Sequence, residues 1–276
     1  MRAAVERYAT YRERPEAWAL GRFVVPLSRL EEFVAEREAI GRAGDPWRLS
    51  VLIAGEPHAE AACVLAFNGR HAERARIEGV EAKVGSGPTG LRALAALEAA
   101  PWEGVERYAE VSLDGDVEAL VRAMAGTGLA TKIRTGGVTP ESFPSAGAVA
   151  RVLVECARLR VPVKATAGLH HPVRSTYRLT YEPDSEMGKM FGFLNVLIGA
   201  AAAYHGAPLE EVVAILETEG AGAAAGDFQF ENDGARWRER TWSTRALTEA
   251  RSSFVRSFGS CSFEEPMREL RELELL

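Results

Sequence analysis

Short apolar or alternating runs recur along this chain, and most are followed by a stretch with apolar residues every three or four positions. Residues 22–26 (RFVVP), 49–55 (LSVLIAG), 80–84 (VEAKV), 107–113 (RYAEVSL), 131–135 (TKIRT) and 161–168 (VPVKATAG) read as strands from run length and β-branched content. Helical spacing predicts helices over 2–12, 58–67, 91–99, 116–124 and 146–159. One more is opened by Ser28, with Leu30, Phe33 and Val34 on its apolar face. Beyond 168 the pattern is less regular. It predicts helices over 187–204, 208–219 and 244–258, the last broken at Gly259, and a seventh strand at 228–231. Ser262 with Glu265 forms a capping-box pattern for a final helix.

Strict β–α alternation implies parallel strands joined by helical crossovers. Six such units within about 150 residues favour a (β/α) barrel over a doubly wound sheet, and no GxGxxG follows the first strand. The expected fold is therefore α/β, a TIM-like (β/α) barrel with seven identifiable strands and an unassigned eighth. The expected organisation is a single domain over 1–276, with an N-terminal helix and a helical C-terminal third. At 276 residues the length suits that class.

Alternation along a strand sends neighbouring side chains to opposite faces. Val80, Ala82 and Val84 oppose Glu81 and Lys83. Ala109 and Val111 oppose Glu110, Ile133 opposes Lys132 and Arg134, and Val163 and Ala165 oppose Lys164 and Thr166. The outer face of a barrel strand packs on helices and must be apolar, so the charged set is expected to point inward. Such a set is tolerated only where it pairs, faces water or holds a ligand. Lysine use sharpens this expectation. Only four of the 33 basic residues are lysines, at 83, 132, 164 and 189, and three of them fall on strands. Unlike arginine, an amine can lose its proton on burial and act as a base or form a Schiff base. Lys189, placed near the start of an apolar helix, is read as reaching to solvent.

Glycine-rich segments follow three strands: GSGPTG (85–90), TGG with Thr135, Gly136 and Gly137, and AGLHHP with Gly168, His170 and His171. Glycines let a backbone approach a ligand and present N–H groups to an anion. Together with the cations beneath them, they point to a small anionic substrate. His170 suits acid/base work and His171 substrate contact; a polar turn explains either residue as well. The histidines lack a carboxylate at helical offset, so no metal is expected, and no cofactor. Cys63 and Cys156 read as buried small hydrophobes. Cys261, in FGSCSFEEP, lacks an identifiable base in sequence and reads as structural.

Composition removes other classes. A net charge of −6 argues against a nucleic-acid partner, and three scattered cysteines suggest a reducing, cytoplasmic setting. No signal-type run opens the chain, and the most apolar stretch is too short for a bilayer and carries Asn195, so no membrane partner is expected. The apolar helix at 191–204 could support a homo-oligomer or simply fill the core.

The stretch 132–170, KIRTGGVTPESFPSAGAVARVLVECARLRVPVKATAGLH, resembles the paired-lysine region of class I aldolase barrels such as deoxyribose-phosphate aldolase. There one lysine ends a strand in a KTSTG-like motif and a second opens a KASGG-like motif on the next strand. The resemblance covers about 40 residues. It implies that Lys132 forms a Schiff base and that Lys164 lowers its pKa, with Thr135, Gly136 and Gly168 near the substrate. Arg134 stands where that motif has a small residue, and HHP replaces the usual loop. No aspartate matches the family's acid/base residue; Glu110 is the nearest candidate. In general style the chain otherwise resembles a bacterial barrel.

The leading expectation is a lyase of aldolase type acting on a phosphorylated or carboxylated carbonyl compound. Its catalytic residues would be Lys132, Lys164, Glu110 and His170. Lys83, Glu81, Arg134, Thr135, Gly136, Gly137, Thr166, Gly168 and His171 would bind substrate. A phosphoribosyltransferase-like barrel, as in quinolinate phosphoribosyltransferase, fits the same residues with the lysines as electrostatic clamps. A non-catalytic ligand-binding or assembly barrel is the third reading.

Overall fold

The structure, a computed structural model, describes residues 1–41, 44–220 and 227–276. The chain forms two compact units, residues 1–110 with 127–129, and residues 111–126 with 130–276.

In the first unit, α1 (Arg2–Tyr11) precedes β1 (Phe23–Pro26), α2 (Leu30–Ile40), β2 (Trp47–Ile53), α3 (Pro57–His71), β3 (Ala75–Gly85), α4 (Gly87–Ala99) and β4 (Glu106–Val111). Helix starts follow local chemistry. Pro57 sits in the first turn of α3, where its missing N–H costs nothing, and Glu56 accepts from the Ala59 N–H. Ser28 does not open α2 as expected, because it lies in a 3₁₀ turn over Leu27–Arg29 and the helix begins one residue after that turn. Tyr8, Phe23, Phe33 and Trp47 form an aromatic core, with ring centroids 4.7 to 5.7 Å apart. Cys63 on α3 is exposed rather than buried, since the buried face of that helix is set by Ala61, Val64 and Phe67.

A charged ladder marks the N-terminal side of these strands. Arg22 donates to Glu78 at 3.1 Å and to Glu106 at 2.6 Å. Arg48 donates to Glu78 at 2.8 Å, and the Tyr108 hydroxyl donates to Glu106 at 2.8 Å. Burial pushes the Glu78 carboxyl up, but the hydrogen bonds from Arg48 and Arg22 outweigh it and the net displacement is downward. A depressed carboxylate stabilises the fold above its unfolded pKa of about 4.3, and that contribution is lost as pH falls through the lower folded value. Arg22→Gln is therefore expected to cost about 1–3 kcal/mol at pH 7. It should also weaken the acid dependence of stability below about pH 4.3. Urea midpoints of both proteins at pH 7 and pH 3 would show it; equal losses on acidification would contradict the assignment.

In the second unit, α5 (Val117–Met124) leads to β5 (Leu129–Arg134), then α6 (Ala146–Arg158) and β6 (Val163–Thr166). A hairpin of β7 (Ser175–Arg178) and β8 (Met187–Met190) follows, then α7 (Phe193–Tyr204) and α8 (Leu209–Glu217). Next come β9 (Phe228–Glu231), β10 (Gly234–Trp237), β11 (Arg240–Ser243), α9 (Thr244–Ser253), β12 (Val255–Gly259) and α10 (Glu264–Glu272). Asp116, Ser145 and Ser243 cap α5, α6 and α9 through their side chains. Cys156 is buried on α6; its thiol meets the Thr131 hydroxyl at 3.4 Å, and burial pushes its pKa up to about 12.

Seven strands make one sheet in the order β1-β2-β3-β4-β5-β6-β12. The registered pairings β1–β2, β2–β3, β5–β6 and β6–β12 are all parallel. β1 and β12 stand at opposite ends of that order, so among the described residues the sheet does not close. Three expectations change here. The run at 228–231 is a strand, but it belongs to a separate antiparallel sheet, β11-β10-β9. The seventh parallel strand is 255–259, and its first four residues fall in the stretch expected to be helical. The helix ends at Ser253, and Val255 pairs with Val163. Likewise 187–190 is strand rather than helix; Lys189 is exposed there, as expected, and its amine pairs with the exposed Glu219.

α7 is apolar because nine of its twelve residues are buried within the second unit, where it packs against α6 and α8. Its composition thus has a full explanation in core packing, and a homo-oligomer through 191–204 draws no support from it. No helix among the described residues is long and apolar enough to cross a membrane.

Candidate functional site

Parallel register puts Lys132 directly beside Lys164, and Lys164 beside Ser257. Directly paired residues of adjacent strands lie about 4.8 Å apart and share a face. The opposite face is fixed by Thr131, Ile133, Val163 and Ala165, all buried. Thr131 meets Cys156 of α6 and Met124 of α5, which makes that face the helix-packed one. Lys132 and Lys164 are therefore side by side on the other face, 6% and 7% exposed. One step further along, Arg134, Thr166 and Gly259 form the next row, with Arg134 exposed and Thr166 half-buried. This is the C-terminal edge of the strands, where parallel α/β folds place their chemistry.

The loops after β5 and β6 are tied to one another. The Thr135 N–H donates to the Thr166 carbonyl at 2.8 Å, and its hydroxyl donates to the Ala167 carbonyl at 2.7 Å. The Phe143 ring lies between the two loops. A Cβ at Gly136 would stand 2.5 Å from the ring, and one at Gly168 would stand 2.9 Å from it and 3.2 Å from Gly136 Cα. Gly168 also has φ +71°, in the left-handed region, next to Ala167 at +69°. A Cβ at Gly137 would meet the Ser142 side chain at 2.5 Å. The glycines of TGG and AGLHH thus serve close packing of two strand-end loops around Phe143, a role that the expectation of an anion cradle did not foresee. Gly136→Ala is expected to destabilise the protein by about 1–3 kcal/mol through overpacking. Adding Phe143→Leu should recover part of that in thermal unfolding; no recovery would remove Phe143 as the cause.

In the first unit, Glu81 is 3% exposed and accepts from the Ser50 hydroxyl at 2.7 Å. Lys83, two residues on along the same face, is exposed. Glu110 belongs to this unit and is half-buried. Ser50 escaped notice in the sequence because one serine in LSVLIAG carries no pattern; its zero exposure and its carboxylate partner exist only in the fold.

The two histidines after β6 have separate partners on α10. His171 is 8% exposed; its Nδ1 lies 2.9 and 3.0 Å from the two Glu269 oxygens, and its ring stacks on Tyr177 at 3.4 Å. That geometry pins the loop to α10. His170 Nδ1 lies 3.2 Å from Glu265 Oε2, and its Nε2 and Nδ1 lie 3.7 and 3.8 Å from Cys261 Sγ. The Tyr181 hydroxyl donates to the same Glu265 oxygen at 2.8 Å and lies 3.9 Å from the sulfur. Cys261 therefore has a base, contrary to the reading from sequence. The Ser262 hydroxyl does accept from the Glu265 N–H at 3.2 Å, as the capping pattern requires, while the Glu265 carboxylate reaches His170 and Tyr181. Among the described residues no group of His, Cys, Asp and Glu side chains is arranged to hold a metal ion.

Compared with protein-family models, curated proteins and solved structures, the chain shows no significant match to any of them.

Proposed function

We propose that the chain is an enzyme of lyase type, built on an open relative of the (β/α) barrel. Its paired lysines act on a small anionic carbonyl compound. The observation that carries this reading is that two buried lysines, Lys132 and Lys164, are direct register partners, two residues below the C-terminal edge of β5 and β6. Charged side chains on a buried strand face, even where they pair, are a poor stability device beside packed apolar residues, so two lysines kept there point to chemistry. A neighbouring cation in general favours the neutral form of an amine, the form that attacks a carbonyl. Lys132 is assigned as the nucleophile because its strand ends at Arg134, whose exposed guanidinium suits a phosphate or carboxylate. Attack gives a carbinolamine, and loss of water leaves an iminium that accepts electrons from the bond to be cleaved. His170, half-buried at the same strand edge and hydrogen-bonded to Glu265, is the proton carrier.

The test is borohydride reduction in the presence of glyceraldehyde 3-phosphate or pyruvate, followed by peptide mapping. A stable adduct on Lys132 or Lys164 supports the lyase. Absence of any adduct across such carbonyl compounds rejects it, and leaves the clamp role expected of a phosphoribosyltransferase.

A further inference from the structure

Outside the lysine pair, the second unit gathers four chemically active side chains at one place. Cys261 stands two residues past Gly259 of β12, and His170 stands four past Thr166 of β6. Gly259 and Thr166 are register partners, so the two residues emerge from the same edge of neighbouring strands. Glu265 and Tyr181 reach in from α10 and from the segment after β7. Glu265 Oε2 meets both His170 Nδ1 and the Tyr181 hydroxyl, which holds the imidazole in place beside the exposed Cys261. The sulfur is nearly equidistant from the two ring nitrogens, at 3.7 and 3.8 Å. Such contact suits an ion pair more than a single directed hydrogen bond.

We infer that Cys261 is the nucleophile of a covalent acyl-transfer site, with His170 as its base and Glu265 as the residue that positions the imidazole. The substrate class is an activated acyl group, an ester or thioester. This inference shares His170 with the lysine chemistry but does not depend on it. The electrostatics agree with it. The contact with His170 lowers the Cys261 pKa against an opposing desolvation, and the contact with Cys261 raises that of His170. The titratable groups facing the sulfur are His170, Tyr181 and Glu265; the last opposes thiolate formation but favours the imidazolium. The Tyr181 hydroxyl is pushed up, first by burial, and remains a neutral donor.

In the first step the thiolate attacks the acyl carbon. A C–S bond forms, the bond to the leaving oxygen or sulfur breaks, and the imidazolium gives its proton to the leaving group. In the second step His170 takes a proton from water as the water oxygen attacks the thioester. The C–S bond breaks, the carboxylic product leaves, and the thiolate–imidazolium pair is restored.

The experiment uses the full chain with p-nitrophenyl acetate. The expected result is a burst of one p-nitrophenol per protein, with the acetyl group mapped by mass spectrometry to Cys261 as a hydroxylamine-labile thioester. In the same protein, carboxymethylation of Cys261 by iodoacetamide should reach half its maximal rate at a pH below that of N-acetylcysteine. Cys261→Ser should lose the burst. His170→Gln should slow acylation by about a hundredfold or more and move the carboxymethylation profile to higher pH. Glu265→Gln should slow acylation with a smaller move of the profile. Acetyl spread over Cys63 and surface lysines without a burst would overturn the inference. So would a Cys261 that alkylates in unmodified protein with the pH profile of a free thiol, a result independent of whether any variant folds.

Discussion

Lys132→Arg is expected to abolish borohydride-trapped adduct at residue 132 and to lower turnover of the carbonyl substrate by about a thousandfold or more, as removal of a covalent nucleophile does. Arginine keeps the charge, and its guanidinium is never deprotonated, so it cannot form an iminium. The expectation rests on pairing: Lys132 and Lys164 are register partners on adjacent strands and both are buried. Lys164→Met should leave trapping at Lys132 detectable but move its pH dependence upward, because the neighbouring cation that disfavours a second charge is gone. Comparison of trapping yield against pH in the three proteins checks both statements. Full activity in Lys132→Arg would mean that charge alone is used at this position. The lyase would then give way to the clamp reading.

A second large effect is expected from Asn195→Leu, a change that keeps the branched outline of the side chain but deletes its amide and adds methyl bulk. Asn195 is wholly buried on α7. Its Oδ1 accepts from the Arg174 N–H at 2.9 Å, and its Nδ2 donates to the carbonyls of Ile215 and Thr218 at 2.9 and 2.8 Å. One side chain thereby joins the segment after the histidine loop to the end of α8. A Cβ at Gly192 would lie 2.4 Å from Asn195 Oδ1 and from the Pro172 carbonyl, so the turn has no room to rearrange around a lost amide. The Ile215 carbonyl keeps the Thr218 N–H at 3.3 Å, but the Arg174 N–H and the Thr218 carbonyl lose their partner; leaving buried backbone groups unpaired costs about 1–3 kcal/mol each, and the total expected is about 2–5 kcal/mol. That is a large share of the ~5–15 kcal/mol by which a domain is stable. Urea unfolding of the two proteins measures it; a difference under about 1 kcal/mol would mean that these groups find other partners.

Local pattern carried the first six parallel strands and the helices between them, because amphipathic periodicity and run length are properties of short windows. It failed at 255–259. VRSFG is short and half-exposed, its apolar residues are few, and it is a strand only because β6 offers it an unpaired edge. It failed also at 187–190, where MGKM takes its extended form from pairing with β7. The lysine pair was legible because strand alternation is written in sequence and puts both lysines on the face opposite the apolar residues. The cysteine centre was not, because Cys261 and His170 are 91 residues apart and meet only where β12 lies beside β6.

Composition and alternation by themselves determined an α/β chain with parallel strands and set Lys132 and Lys164 on the face away from the helices. The tertiary structure alone decided that the sheet of described strands does not close, that the strand-end glycines close around Phe143, and that Glu265 meets His170. The reason is physical. Side-chain periodicity is encoded residue by residue, whereas edge pairing, close packing and charge partnership are relations between segments that only the folded chain brings within a few ångströms.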